Sequence, residues 1–264
     1  RTGGIRVPDS SVLTVVGDGN LTINLNSGKY FGIGNSLDEY HGELNFYQDG
    51  GIIINANGMK GIGIGSGLGG VINIKRGHYE FDMKGQEGAC IGSVNGDSEL
   101  FIEYCDMDIY SGISNGTIIG SVNGDADIKL ENISAKIQGA GNVITGIGTI
   151  AGNSCMVRLE NVNISSNIRA KECYGIGCRA GRTDIYIGYA AVKSVVQGKS
   201  AVAFGNSVMS AKLYCSNADV GTNAVTEFNS DIGALEKNIQ LENGRAEFIL
   251  NGQEVKRQIL AARL

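Results

Sequence analysis

Seven consecutive residues of this chain occur twice. Ile91 to Asp97 reads Ile-Gly-Ser-Val-Asn-Gly-Asp, and Ile119 to Asp125 repeats it 28 residues later. With the first glycine of the motif as an anchor, equivalents fall at Gly34, Gly65, Gly92, Gly120, Gly148, Gly177, Gly205 and Gly233. The intervals are 31, 27, 28, 28, 29, 28 and 28 residues. Isoleucine precedes every anchor except Gly205, which follows Phe204, and Gly4-Ile5-Arg6 adds a first copy. A fixed period in the range of about 20–50 residues marks a repeat architecture, in which one unit cannot bury its apolar side alone and stacked units share a core.

The repeat is β rather than helical. The chain has 41 glycines, and each anchor is followed by period-two alternation such as Ile128-Lys129-Leu130, Ile185-Tyr186-Ile187 or Leu213-Tyr214-Cys215, the pattern of a half-buried strand. A second glycine stands four residues after the anchor at Gly69, Gly96, Gly124, Gly152 and Gly181, where positive φ is expected to make a tight corner. These features predict an all-β fold, a parallel β-solenoid of about nine coils with ~28 residues per coil. Its core columns are the pre-anchor residues together with Ile72 and Ile74, Leu100 and Ile102, Ile128 and Leu130, Val157 and Leu159, Ile185 and Ile187, and Leu213 and Cys215.

The solenoid is expected over residues 1–242, with residues 243–264 a capping segment of the same domain. Two endings fit the cap. Val255, Ile259 and Leu260 have helical spacing with Asn251 as N-cap, and Asn251-Gly252 is equally the centre of a hairpin. Either covers an edge that otherwise invites strand pairing. The longer second coil places its extra residues at Asn35 to Gly42, and such insertions map to loops.

Composition narrows the function. The net charge of −5 lacks the basic stripe of a nucleic-acid binder, and no apolar run reaches the roughly 18 residues a membrane span needs. The chain opens on strand-like residues with no signal peptide and reads as a piece of a longer protein. The six cysteines (Cys90, Cys105, Cys155, Cys173, Cys178, Cys215) show no ladder and no zinc-like spacing. They read as small core fillers, with one or two disulfides as the alternative. Gly61 to Gly70 has no Gly-Lys-Ser/Thr ending and no following helix, so it is a corner and not a phosphate loop.

Two sets of outward residues line up. One row is Asn45, Asn73, Phe101, Lys129, Arg158, Tyr186 and Tyr214, with Lys75, Glu103, Glu131 and Glu160 two residues on. Strands about 4.8 Å apart stack these into columns, either a solvated charge-balanced face or a ligand-binding one. Phe101, Lys129, Arg158, Tyr186 and Tyr214 are the candidate ligand contacts, because rings stack on sugar faces and cations favour acidic sugars. The second set is at a corner. Asp97 and Asp125 share one position and Glu99 and Asp127 another, a candidate row for Ca2+ or simply turn-forming carboxylates. No nucleophile elbow occurs, and only His41 and His78 are available as imidazoles.

The stretches Gly61 to Gly67, Gly88 to Val94 and Gly116 to Val122, each followed by short isoleucine strands, resemble the glycine-rich parallel β-helix repeats of bacterial surface proteins. Broader relatives of those repeats include carbohydrate-binding β-helix modules and pectate-lyase-like enzymes. The likeness covers about residues 4–242. It implies contact with a polysaccharide or host-surface glycan at an extracellular or cell-surface location, although the cysteines leave the cytoplasm open. The expected function is a non-catalytic binding or adhesion module. One alternative is a polysaccharide lyase or glycoside hydrolase, with Lys129, Arg158 and Arg182 as the cations available to a lyase, whose catalytic motifs find no match here. Another is a structural spacer or sensor stalk in a larger protein.

Overall fold

A computed structural model of the chain describes residues 2–227 and 239–260. Regular structure in these residues is entirely β, wound into a parallel solenoid of about eight turns with ~28 residues per turn. The copy anchored at Gly233 lies outside the described residues. Each regular turn runs along a short strand such as Asp97–Glu103, turns a corner, and continues through a long bent strand such as Cys105–Ser121.

Neighbouring turns pair in parallel register. The anchors oppose one another in sequence: Gly34 with Gly65, Gly65 with Gly92, Gly92 with Gly120, Gly120 with Gly148, Gly148 with Gly177, and Gly177 with Gly205. Arg6 takes the first place, opposite Gly34. The expected core is the observed one. Ile33, Ile64, Ile91, Ile119, Ile147, Ile176 and Phe204 are 0 % exposed, and the twelve strand residues from Ile72 to Cys215 are at most 1 % exposed. Burying each such side chain stabilises the fold by about 1.5–3 kcal/mol.

The recurring motif is consumed by stacking, letter by letter. Its isoleucine fills the core. Its first glycine has positive φ, +132° at Gly120, and a Cβ there would stand 1.9 Å from the carbonyl oxygen of Gly148. Its serine is a buried donor. Ser66 donates to the Gly69 carbonyl (3.1 Å), Ser121 to that of Gly96 (2.7 Å) and Thr149 to that of Gly124 (2.7 Å), and Ser93 also donates to Gly96. A hydroxyl shut away from water needs such a partner. Val94 and Val122 join Leu37, Ile62 and Ile150 in a satellite apolar cluster. The motif's asparagines form a side-chain ladder, Asn123 Nδ2 to Asn95 Oδ1, 3.3 Å.

Positive φ at the second glycine holds only for Gly69 and Gly181. At Gly96, Gly124 and Gly152 the requirement is close approach. A Cβ on Gly124 would meet the Gly96 carbonyl oxygen at 2.2 Å, and one on Gly152 the Gly124 oxygen at 2.3 Å. Bulk, not backbone angle, selects glycine there.

The loop inserted after Gly34 is tied down. Leu37 enters the satellite cluster, Arg6 bonds Glu39 at 3.0 Å, and Asn35 donates to the Tyr40 carbonyl at 2.8 Å. At the other end the strand Ile239–Leu250 still runs parallel to Ala211–Thr226, and Gln253–Leu260 then returns antiparallel. Asn251 and Gly252 have φ of 48° and 78°, as a two-residue hairpin of Asn-Gly requires. The cap is therefore the hairpin and not the helix. A free strand edge offers a full ladder of backbone bonds, whereas a short isolated helix is marginal in water. All six cysteines are buried and unpaired, so the disulfide alternative falls. Burial pushes the Cys90, Cys105 and Cys215 thiols up to about 12.

Candidate functional site

Because the motif residues are spent on stacking, recognition falls to the outward residues between them. The expected row exists. Asn45, Asn73, Phe101, Lys129, Arg158, Tyr186, Tyr214 and Gln240 stand in one unbroken line, each directly opposite the next. Glu103, Glu131 and Glu160 form the adjoining line. Tyr186 is exposed, and its ring lies 6.3 Å from that of Tyr214, tilted by 48°. Asn45, at the far end, is buried and accepts from Asn73 at 2.8 Å.

The cations of this face are occupied. Lys75 holds Glu103 at 3.1 Å, Lys129 holds Glu131 at 2.5 Å and Arg158 holds Asp127 at 2.7 Å. The hydrogen bond that the Lys129 ammonium donates to Glu131 pushes its pKa up. Arg182, the third cation considered for lyase chemistry, holds Asp184 at 2.8 Å. The Tyr214 hydroxyl donates to Glu242 at 2.5 Å. Each of these cations is thus paired with a carboxylate of the same face, which offsets the repulsion of like charges in adjacent strands.

Asp97, Glu99, Asp125 and Asp127 line one concavity of about 750 Å3 together with Tyr40. They are arranged along the corner and not around a point. Asp97 Oδ1 accepts the Asp125 amide at 2.8 Å, and Asp125 Oδ1 accepts the amides of Asn153 and Ser154 at 2.7 and 3.0 Å. Among the described residues no three His, Cys, Asp or Glu side chains converge as a metal site. His41 is buried with Nε2 unpartnered, and desolvation lowers its pKa. His78 is exposed and bonds Glu80 at 2.9 Å.

A second corner was not anticipated. Tyr104, Asn132, Asn161, Tyr189, Asn217 and Asn243 all have left-handed backbone, with φ of 52°, 54°, 51°, 46°, 50° and 48°. They follow the Phe101 row by three residues and mark a bend of the chain. A shallow, wide-open groove of about 1100 Å3 runs along this corner from Asp106 to Arg245. Its sequence signal was the recurrence of asparagine twelve or thirteen residues after Gly120, Gly148 and Gly205. Asparagine tolerates the left-handed region better than other side chains.

Fold and surface together define the class, a parallel β-solenoid of stacked coils. Comparison with protein-family models, with curated proteins and with solved structures gives no match in any of the three. No helix among the described residues is long and apolar enough to cross a membrane.

Proposed function

We propose that this solenoid is a non-catalytic binding or adhesion module that lays a polysaccharide along its axis, outside the cell or at its surface. One observation carries the reading: the outward residues from Asn73 to Gln240 form a single register line across seven turns, which includes the exposed Tyr186 and the adjacent Tyr214. A line of residues repeating at about 4.8 Å suits a linear polymer and not a compact metabolite. Exposed tyrosine rings offer flat apolar area with a polar rim, matched to the faces of sugars. The pairing of Lys129 with Glu131 and of Arg158 with Asp127 favours hydroxyl-rich over anionic chains. The likeness to glycine-rich repeats of bacterial surface proteins points the same way.

Affinity electrophoresis tests it. The protein is run through native gels containing a panel of soluble neutral and acidic polysaccharides. Retardation in at least one gel, weakened by Tyr186→Ser plus Tyr214→Ser, supports the reading. Unchanged mobility across the panel overturns it. The spacer reading is favoured by the internal pairing of the face's cations and takes over in that event.

A further inference from the structure

Resting on the polysaccharide reading, we infer that the groove along the left-handed corner, with Tyr189 at its centre, is the principal subsite and that it takes a linear neutral glycan. The chemistry is carried by what lines the groove. Asn132, Asn161, Asn217 and Asn243 present carboxamides at successive turns, interrupted only by Tyr189. A carboxamide both donates and accepts, which matches the hydroxyl groups of a sugar and gives no advantage to a carboxylate or a sulfate. The ladder does not exhaust these groups. Asn161 donates to Asn132, and Asn217 donates to Ser216 at 3.2 Å, but the Oδ1 atoms of Asn161 and Asn217 accept no hydrogen bond among the described residues. The charged residues in the groove are Asp106, Asp219 and Arg245, and Arg245 is held by Glu247 at 2.9 Å. An anionic chain would therefore meet net repulsion.

Tyr189 is the residue that folding alone does not explain. It is 64 % exposed, so packing does not demand it, and its φ of 46° is a conformation that a bulky side chain adopts at a cost. The flanking turns fill the same position with asparagine. A tyrosine kept there presents its ring at the bend, between the carboxamides of Asn161 and Asn217, where it can stack on a sugar face.

The test compares wild type, Tyr189→Asn and Tyr186→Ser/Tyr214→Ser in native gels containing glucomannan, hydroxyethylcellulose or soluble xylan, with polygalacturonate and alginate as acidic counterparts. Melting temperatures are measured in parallel. Tyr189→Asn restores the corner's own asparagine and is expected to fold at least as well as wild type. The expected result is retardation of wild type in a neutral gel and a tenfold or greater rise in apparent Kd for Tyr189→Asn, with a smaller change for the Tyr186/Tyr214 variant. Retardation that survives Tyr189→Asn but is lost in the Tyr186/Tyr214 variant overturns the corner subsite and leaves the sheet-face reading standing. Retardation confined to acidic gels overturns the neutral class. No retardation of wild type in any gel overturns both proposals.

Discussion

The carboxylate of Asp97 accepts the backbone amide of Asp125, its own counterpart one turn further on, at 2.8 Å. Asp125 does the same for the next turn, accepting two amides, from Asn153 and Ser154. The aspartate that closes the recurring motif is a staple between coils. Asp125→Ala is expected to lower the unfolding free energy by about 1–3 kcal/mol, since it removes two hydrogen bonds between coils. Asp97→Ala removes one and should lower it less. Urea unfolding of both variants checks the order. With the staples already bonded and no three His, Cys, Asp or Glu side chains converging among the described residues, added calcium is expected to leave the melting temperature unchanged. A rise that grows with calcium concentration, as linkage demands of any ligand of the native state, would contradict this.

Glycine positions are expected to differ sharply in tolerance. Gly120→Ala combines φ of +132° with a Cβ placed 1.9 Å from the Gly148 carbonyl oxygen, and is expected to cost at least about 3 kcal/mol. Nothing stands within 4 Å of a Cβ built on Gly19. Gly19→Ala should be neutral or stabilise by up to about 1 kcal/mol through the unfolded chain. Denaturant midpoints of the two variants decide it.

Alkaline stability follows from the buried thiols. Burial raises Cys173 and Cys178 to about 11, and Cys90, Cys105 and Cys215 to about 12, from an ordinary value of 9.0. In the folded state these groups stay protonated after their unfolded counterparts have ionised. Their contribution is complete below about pH 9 and is lost as pH climbs from there towards about 12. Urea midpoints measured at half-unit steps above pH 8 should fall progressively. A thiol reagent at pH 8 should label none of the six cysteines until denaturant is added.

Tyr189 and Tyr104 occupy left-handed positions, with φ of 46° and 52°. Replacing either by asparagine is expected to raise stability by about 1 kcal/mol. Calorimetric melting temperatures of the two single variants measure the effect independently of any ligand.

Much of the fold was legible because core and register obey simple periodicities. Isoleucine before each anchor and the alternating pairs after it fix which side chains face inward, and an error of one residue would have turned a whole strand over. The row from Phe101 to Tyr214 followed from the same counting. The hydrogen-bond partners of the motif's polar residues were less legible, because Ser121 bonds a carbonyl 25 residues earlier in the chain and no local pattern announces that. The requirement for close approach at Gly96 and Gly124 was hidden for a related reason. Sequence distinguishes glycine chosen for φ from glycine chosen for closeness only when the neighbouring coil is in place. The left-handed corner was hidden because Tyr104 and Tyr189 break what would otherwise read as an asparagine ladder. The ending at Asn251-Gly252 was a contest between helix period and turn chemistry, and the open strand edge of Ile239–Leu250 decided it.

Every reading of surface and site depends on successive turns stacking in register along one axis. Pulsed electron resonance on nitroxide pairs measures that directly, since the six native cysteines are buried and leave introduced ones to be labelled alone. With one label at Asn73→Cys and the second at Tyr186→Cys, Tyr214→Cys or Gln240→Cys, stacked turns predict backbone separations of roughly 19, 24 and 29 Å, one strand spacing of about 4.8 Å per turn. Distances that fail to lengthen in equal steps across the three pairs would contradict the stacking, and with it the proposed working surface.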